Sequence, residues 1–239
     1  MTRVVMADES GAIRQAAAAL ADGAVVAVPT DTVYGLAVDP TQPEAVERLF
    51  ALKGRPADVP LPILVAGPEQ VAQVAGELEA AARVLAGRYW PGPLTLIVPR
   101  RPGFIIDLGG PAPARQTVGV RRPDQPVVVA LCELLGPLAV TSANLHGDMP
   151  ATTATGVVEA FAGSDQPEVV LDGGVCDGVP STVVECRGPA SRCLREGALP
   201  WAELHGLHEP PTGGTTGKYD RPGVDGSGPG GGDLWDAAR

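Results

Sequence analysis

The sequence predicts an α/β domain in which a mixed sheet is covered by helices. Short apolar runs, typical of buried strands, are interspersed with segments of helical composition along most of the chain. The 239 residues are 44% hydrophobic and 19% charged, proportions that suit a packed globular core. Aromatic residues supply only 4%, so Val, Leu and Ala must fill that core. These proportions exclude a wholly disordered or fibrous protein.

The first quarter of the chain predicts two strands and two helices. Arg3–Met6 is a short β-rich run, and residues 10–22 predict a helix because they are rich in Ala and Leu and stop at Gly23. Residues 24–29 form a continuous apolar run closed by a proline, as expected of a buried central strand. Pro43–Lys53 predicts a helix, since proline is tolerated in a first turn and a mostly one-sided apolar stripe follows.

The same alternation continues through the rest of the folded part. Residues 68–90 predict one or two helices broken near Gly76, and 127–135 and 155–161 predict one helix each. Further apolar and β-branched runs predict strands at 63–65, 94–98, Thr117–Arg121, 138–141, 169–171, Thr182–Cys186 and 192–194. Strands and helices are thus mixed throughout, which implies one α/β domain.

The composition changes near residue 207. Gly and Pro dominate from His208 onward, and such a segment cannot offset its ordering entropy by burial. We assign residues 1–206 to the folded domain and 207–239 to a disordered Gly/Pro-rich tail. Within that tail, Leu234 and Trp235 are the only residues expected to make apolar contacts. The tail run Gly213-Gly-Thr-Thr-Gly-Lys218 lacks the spacing and the preceding strand of a phosphate-binding loop.

The charge distribution is uneven. A formal net charge of -10 disfavours nonspecific binding of nucleic acid by the whole surface. Between Arg83 and Arg122, however, Asp107 is the only acid among seven arginines. These arginines either form an anion site or line a solvated face and pair with acids elsewhere.

The sequence contains no signal for a membrane or for secretion. No apolar run approaches the ~20 residues that span a bilayer, and the first ten residues lack the apolar region of a secretory signal. We therefore expect a cytoplasmic protein. The four cysteines include no C-x-x-C pair and the chain has three histidines, so we expect free thiols and no protein-bound metal.

Polar side chains follow the apolar run at 24–29. The motif Pro29-Thr-Asp-Thr-Val-Tyr-Gly-Leu36 places hydroxyls and a carboxylate where open α/β sheets bind ligands. We interpret Thr30, Thr32 and Tyr34 as ligand contacts. For Asp31 two interpretations carry equal weight, a ligand contact and a turn that satisfies local backbone groups.

Two further segments carry candidate groups. Lys53-Gly-Arg-Pro-Ala-Asp-Val-Pro-Leu61 places two cations at a helix end, in a loop that prolines stiffen. They could complement the helix dipole, but a Lys point charge beside a forked Arg also suits polyphosphate oxygens. After another apolar run, Ser142 and Asn144 would face the same side if extended, although taken alone the segment favours a Ser/Asn turn. No nucleophile or histidine-base motif accompanies Ser142, so a hydrogen-bonding role suits it better.

Six motifs, taken in order, resemble the YrdC/Sua5 family in its short, single-domain form. They are Pro29-Thr-Asp-Thr-Val-Tyr-Gly-Leu36, Lys53-x-Arg-Pro56, Trp90-Pro-Gly-Pro-Leu-Thr95, Thr117-Val-Gly-Val-Arg121, Ser142-Ala-Asn144 and Pro180-Ser-Thr-Val-Val184. The resemblance extends from about residue 3 to residue 197. It implies a YrdC-like twisted mixed sheet flanked by helices around a deep cationic cavity.

The resemblance also implies an activity. Members of the family are L-threonylcarbamoyladenylate synthases, nucleotidyltransferases that convert L-threonine, bicarbonate and ATP into threonylcarbamoyl-AMP and pyrophosphate. The product supplies the t6A37 modification of tRNA, so the t6A transferase complex or tRNA is an expected transient partner. Mg2+ is expected on the triphosphate, held mainly by ATP and water because no acidic cage is visible.

Matching positions imply roles for nine residues. A tetrad around the nucleotide and the reacting centre matches Lys53, Arg55, Ser142 and Asn144. Contacts of L-threonine match Thr32, Arg121 and Ser181. Contacts of ATP match Arg55, Thr117, Ser142 and Arg195. In this scheme Arg121 holds the threonine carboxylate by a two-pronged bond, and the other cations stabilise charge on phosphate oxygens.

The sequence departs from the family pattern at two positions, and two alternative functions keep the fold. Val59 stands where many relatives have a polar residue, and His146 replaces a common serine. One alternative is a non-catalytic RNA-binding maturation factor, which the overall acidity and the lack of an aromatic platform disfavour. The other is a hydrogenase-maturation carbamoyltransferase, whose zinc-finger and acylphosphatase parts are not visible in the sequence.

Overall fold

One mixed sheet organises the parts of the chain that the computed structural model describes, residues 2–56, 58–111, 116–163, 165–187 and 191–205. Within those ranges its ten strands are β1 (Arg3–Met6), β2 (Val26–Val28), β3 (Gly35–Val38), β4 (Ile63–Leu64), β5 (Leu94–Pro99), β6 (Thr117–Arg121), β7 (Leu138–Ser142), β8 (Val169–Asp172), β9 (Thr182–Cys186) and β10 (Ser191–Arg195). Across the sheet they lie in the order β1-β8-β2-β3-β7-β4-β6-β5-β9-β10. The predicted tail at 207–239 lies outside the described residues.

Helices cover both faces of the sheet. In the described part of the chain they are α1 (Ala12–Ala21), α2 (Pro43–Lys53), α3 (Pro68–Val74), α4 (Ala80–Tyr89), α5 (Pro126–Leu135), α6 (Ala154–Ala160) and α7 (Trp201–His205). Apolar residues of α1 and α5 pack into a core on one face. Residues of the other five helices pack into a larger core on the opposite face. Burial of these two apolar layers stabilises the sheet and holds its strand ends in place.

The predicted α/β class is confirmed, and most predicted elements agree with the structure to within two residues. The run at 24–29 contains β2, whose three residues are all 0% exposed and lie between β8 and β3. Such a strand is buried on both faces, which explains its unbroken apolar sequence. The break expected near Gly76 separates α3 from α4. All four cysteines are free, as expected.

Two elements were not predicted. Strand β3 overlaps the end of the polar motif at residues 29–36, for which the sequence indicated ligand contacts and no strand. It pairs antiparallel with β2 and with β7, with Gly35 opposite Ser142. Helix α7 has only five residues, too few for a helical period to be visible in the sequence. Both elements are short, which is where sequence patterns carry least information.

The topology brings several strand ends to one edge. Strand β5 pairs antiparallel with β6 and parallel with β9, so the start of β5 meets the end of β6 and the start of β9. The end of β7 lies beside the start of β3 for the same reason. Polar residues at these ends are therefore neighbours although they are far apart in sequence.

Candidate active site

A cavity of about 380 Å³ opens where these strand ends meet. Three arginines line this cavity: Arg55, Arg121 and Arg195. Hydroxyl groups also line it, from Thr30, Thr32, Thr95, Thr141, Ser142 and Ser181. Apolar side chains, among them Leu64, Ile97 and Val140, complete the wall. A partly apolar cavity with a few convergent polar groups is the usual form of a small-molecule site.

Arg121 is the most deeply anchored of the three arginines. It ends β6, is 6% exposed, and donates through Nε to the Gly92 carbonyl at 3.1 Å. Its Nη1 donates to Thr32 Oγ1 at 3.0 Å, and its Nη2 forms an ion pair with Asp31 Oδ1. Three of its five N–H groups are therefore engaged, and two remain for a ligand. Asp31 thus acts as the partner of Arg121, which neither sequence interpretation anticipated.

The threonine pair beside Arg121 is closely hydrogen-bonded. Thr30 Oγ1 donates to the Val33 carbonyl at 2.6 Å, so its only hydrogen is used. It also accepts from the N–H groups of Thr32 and Val33 at 3.1 and 3.3 Å, so both of its lone pairs are occupied. The Thr32 hydroxyl lies 2.9 Å from Thr30 Oγ1 and accepts from Arg121, which leaves it one acceptor lone pair for a ligand.

Arg195 and Ser181 form a second polar group in the cavity wall. The Arg195 guanidinium donates to the Ser181 carbonyl at 2.8 Å and to Ser181 Oγ at 3.2 Å. Ser181 Oγ also lies 2.9 Å from Thr95 Oγ1. Arg195 as a whole is exposed, but partial burial of its guanidinium, followed by repulsion from Arg121, lowers its pKa. Two arginines that repel each other within one cavity form a favourable place for an anion.

Arg55 is held by the loop that follows α2. Its Nε donates to the Val59 carbonyl at 3.0 Å and its Nη2 to the Pro60 carbonyl at 3.0 Å. Burial, followed by repulsion from Arg195, lowers the pKa of Arg55. The loop thus presents a fixed guanidinium to the cavity, and Val59 itself lines the wall beside it.

Lys53 is not among the residues that line the cavity, although the family resemblance implies a place beside the nucleotide and the reacting centre. It is the last residue of α2 and is 2% exposed. Its ammonium donates to the carbonyls of Ser142 and Asn144 at 2.6 and 3.0 Å and to Asn144 Oδ1 at 2.8 Å. A longer contact of 3.3 Å reaches Ser142 Oγ. Burial, followed by repulsion from Arg55, lowers the pKa of Lys53 to about 8.

Asn144 and Thr117 also differ from their predicted places. Asn144 does not continue the extended strand, because its N–H donates back to the Ser142 carbonyl at 3.1 Å. Its Nδ2 donates to the carbonyls of Leu145 and Asp148, so its amide serves the turn rather than the cavity. Thr117 begins β6, at the opposite end from Arg121, and is not among the lining residues.

Of the nine predicted site residues, the structure places six on the cavity wall: Thr32, Arg55, Arg121, Ser142, Ser181 and Arg195. Tyr34 borders the cavity, but its hydroxyl donates to the Gly174 carbonyl at 2.9 Å and burial raises its pKa to about 12. Sequence reasoning missed Thr95, although the Trp90-to-Thr95 motif contains it. Its position beside Arg121 depends on strand pairing, which no local pattern reveals.

Comparisons with known proteins agree with this fold. The family model Sua5_yciO_yrdC, described as "Telomere recombination", matches residues 18–197. The chain therefore belongs to the Sua5/YciO/YrdC family. Proteins named Threonylcarbamoyl-AMP synthase are similar to it, at 41% identity over 198 residues in Pyrococcus abyssi and 37% over 203 residues in Bacillus subtilis.

A solved structure extends the similarity. The P. abyssi Sua5 complexed with L-threonine matches with a TM-score of 0.76 and 40% identity, covering 87% of this chain and 60% of that one. The matches to the P. abyssi and B. subtilis relatives cover 82% and 83% of this chain, respectively, but only 57% of the length of each relative. This chain thus corresponds to a little over half of those longer proteins.

The described residues offer no ready-made metal cage. Within them, no group of three or more His, Cys, Asp or Glu side chains is placed to hold a metal ion. Asp31, the carboxylate nearest Arg121, is engaged by that arginine. In the same described ranges, no helix is both long and apolar enough to cross a membrane.

Proposed function

We propose that the chain is an L-threonylcarbamoyladenylate synthase. The ammonium group of L-threonine would lose a proton to solvent, and the resulting amine would combine with bicarbonate to give a carbamate and water. An oxygen of that carbamate would then attack the α-phosphorus of ATP, and the bond to pyrophosphate would break. The products are threonylcarbamoyl-AMP and pyrophosphate.

A single observation carries the proposal. Arg55, Arg121 and Arg195 arise from distant parts of the chain yet line the same cavity, together with the hydroxyls of Thr32, Ser142 and Ser181. Both substrates bring anionic groups, and their reaction joins two anions. Fixed cations and donors that offset this repulsion are the main contribution a protein can make to such a step.

Arg121 suits the amino-acid end of the cavity. Its two unengaged N–H groups can bind a carboxylate, while the acceptor lone pair of Thr32 can receive a hydrogen from the threonine hydroxyl or nitrogen. Arg121 is held on three sides, so this geometry exists before the ligand arrives. Preorganisation of this kind lowers the entropic cost of aligning the reacting groups.

Arg55 and Arg195 suit the nucleotide end. Their guanidinium groups have lowered pKa values because burial, repulsion of Arg55 by Arg195 and repulsion of Arg195 by Arg121 destabilise the charged forms, and a polyphosphate would offset this repulsion. Ser142, whose hydroxyl contacts Lys53, adds a hydroxyl to the same cavity. Lys53 and Asn144 would act indirectly, by holding the end of β7 in place.

Mg2+ would accompany ATP as part of the substrate. The described residues contain no acidic cluster for it, so the phosphate oxygens and water would supply its ligands. When bound there, the ion would neutralise charge on the leaving pyrophosphate. We further propose that the product passes to the t6A transferase complex for modification of tRNA, and that the chain works in the cytoplasm.

The test is product analysis by mass spectrometry. Purified protein is incubated with ATP, Mg2+, L-threonine and bicarbonate, and each component is omitted in turn. We expect threonylcarbamoyl-AMP and pyrophosphate only in the complete mixture. If no product forms and tRNA nonetheless binds with a steep salt dependence, the RNA-binding alternative is favoured instead.

Two arginine variants assign the activity to the cavity. Arg55→Ala should reduce the rate by about 100-fold or more, because removing one preorganised donor to a transferring group typically lowers the rate by that factor. Arg122→Ala is the matched control, since Arg122 is adjacent to Arg121 but donates to the Ala66 carbonyl and does not line the cavity. An equal rate for Arg55→Ala and wild type would refute the site assignment.

A further inference from the structure

Thr95 lies in the cavity wall without a role in the site described above. It is 5% exposed and belongs to β5, next to β6. The register that pairs Leu96 with Val120 places Thr95 across from Arg121. Residues opposite each other in an antiparallel pair share a face, so the Thr95 hydroxyl and the Arg121 guanidinium border the same part of the cavity.

Thr95 also contacts a second cavity residue. Its Oγ1 lies 2.9 Å from Ser181 Oγ, and among the described residues this is the only hydrogen-bond partner of the Thr95 hydroxyl. Ser181 is 6% exposed and its Oγ already accepts a hydrogen bond from Arg195 at 3.2 Å. Arg195, Ser181 and Thr95 therefore form one continuous chain of polar groups.

The hydrogens of this chain can be counted. Two hydroxyls carry two hydrogens, and only one can lie between the two oxygens, so the other is free. Donation from the Arg195 cation polarises Ser181 and makes its O–H the stronger donor. When an anion occupies the cavity, the stronger donor pairs with that anion. Thr95 then donates to Ser181, whose two lone pairs are filled and whose hydrogen points into the cavity.

We propose that Thr95 is a positioning residue that directs the hydroxyl hydrogen of Ser181 at the carboxylate of the amino-acid substrate beside Arg121. The proposal rests on the proposed function, since it takes L-threonine as the ligand of this end of the cavity. In this arrangement two groups bind the carboxylate. One is the guanidinium of Arg121 on β6, and the other is the hydroxyl of Ser181, which Thr95 on β5 orients.

The test is calorimetric titration of the purified chain with L-threonine. Thr95→Val removes the hydroxyl while keeping the shape of the side chain, and should raise the Kd for L-threonine by about 3- to 10-fold, because Ser181 loses one constraint on its direction. Thr95→Ser keeps the hydroxyl and should bind within about twofold of wild type. Thr155→Val, on the exposed face of α6, is the matched control for a Thr-to-Val change.

A double-mutant cycle gives a readout that a purely structural role would not move. Ser181→Ala removes the donor itself and should raise the Kd by about 10- to 100-fold. In that background Thr95→Val should add nothing, because it acts only through Ser181. Additive effects, a Kd for Thr95→Val equal to wild type, or a larger effect for Thr95→Val than for Ser181→Ala would each overturn the proposal. If Thr95→Val fails to fold, Thr95→Ala replaces it in the cycle.

The wild-type titration separates this inference from the function on which it rests. If the wild-type chain does not bind L-threonine at all, the proposed function fails and the role of Thr95 fails with it. If the wild type binds L-threonine but the cycle is additive, only the role of Thr95 is refuted.

Discussion

Lys53 is a buried cation whose partners are all neutral. Its ammonium hydrogen-bonds to the residues that end β7, and no carboxylate among the described residues joins them. Carbonyl and amide oxygens compensate only part of the lost hydration, so the charged form is destabilised by folding. The group therefore links the end of α2 to the end of β7 at a cost in stability that depends on pH.

The first prediction concerns that pH dependence. Folding lowers the pKa of Lys53 from 10.5 to about 8, so between these values the unfolded chain binds more protons than the folded chain. Under that condition the free energy of unfolding rises with pH. The difference in this free energy, wild type minus Lys53→Met, should therefore rise by about 1–3 kcal/mol from pH 8 to pH 10.5.

Urea unfolding of both proteins at several pH values measures this difference. The comparison with Lys53→Met is needed because burial raises the pKa of Tyr34, Cys132 and Cys186 to about 12, which lowers stability as pH rises above 9. These groups are common to both proteins and cancel. A difference that stays flat or falls across the range would show that Lys53 is not a destabilised cation.

Arg121 carries the second prediction. The Arg121 guanidinium contacts Asp31, Thr32 and the Gly92 carbonyl at once. The ammonium of a lysine at this position cannot reach all three partners. Arg121→Lys should therefore weaken L-threonine binding by about 100-fold, whereas Arg122→Lys should leave it unchanged. Calorimetry of both variants measures the effect. Equal affinities for Arg121→Lys and wild type would mean that the amino acid binds elsewhere.

Residue types were easier to predict from the sequence than residue positions. The motifs pointed to Thr32, Arg121 and Ser181, and these line the cavity. For Ser142 and Asn144 the sequence allowed an extended strand or a turn; the backbone turns there, and the Asn144 amide hydrogen-bonds within that turn. Whether a side chain faces a cavity or a neighbouring turn depends on tertiary contacts, which spacing alone does not encode.

At the scale of elements, the start of β3 is packed too closely to admit a side chain. A Cβ on Gly35 would lie 2.5 Å from Val140 Cγ1 on the adjacent β7. Gly35 also lines the cavity and pairs with Ser142. The close approach of these two strands therefore holds the polar groups after β2 near those at the end of β7.

The third prediction compares two glycine substitutions. Gly35→Ala should lower the free energy of unfolding by about 1–3 kcal/mol, because the added methyl group forces β3 away from β7. Gly87→Ala should raise it by about 0.5–1 kcal/mol, since Gly87 is exposed inside α4 and a Cβ there meets nothing within 4 Å. Chemical denaturation of both variants provides the measurement. A Gly35→Ala protein with the same free energy of unfolding as the wild type would contradict the packing argument.

Elements with an uninterrupted pattern were the ones that could be predicted. Helix α2 and strands β1, β6 and β9 have the predicted bounds, although β1 has only four residues. Strand β3 was missed because its first two residues belong to the polar motif at 29–36, so its apolar run did not stand out as a separate element. Its place in the sheet is fixed by pairing with β2 and β7, which are far apart along the chain.

For the whole molecule, the sheet order explains why the site could not be located from spacing. Strands β7 and β4 lie between β3 and β6, although β7 comes last of the four in the chain. The cavity therefore gathers residues from Thr30 to Arg195. Membership of the family follows from the motifs, but the partners of Lys53 and Asp31 follow only from this non-sequential arrangement.

The central claim is that amino acid and nucleotide bind side by side in this one cavity. A crystal structure of the chain with L-threonine, Mg2+ and a non-hydrolysable ATP analogue tests it most directly. We predict the threonine carboxylate at Arg121 and the phosphates at Arg55 and Arg195, with the threonine nitrogen directed at the α-phosphate. Ligands on separate faces, or both outside the cavity, would contradict it.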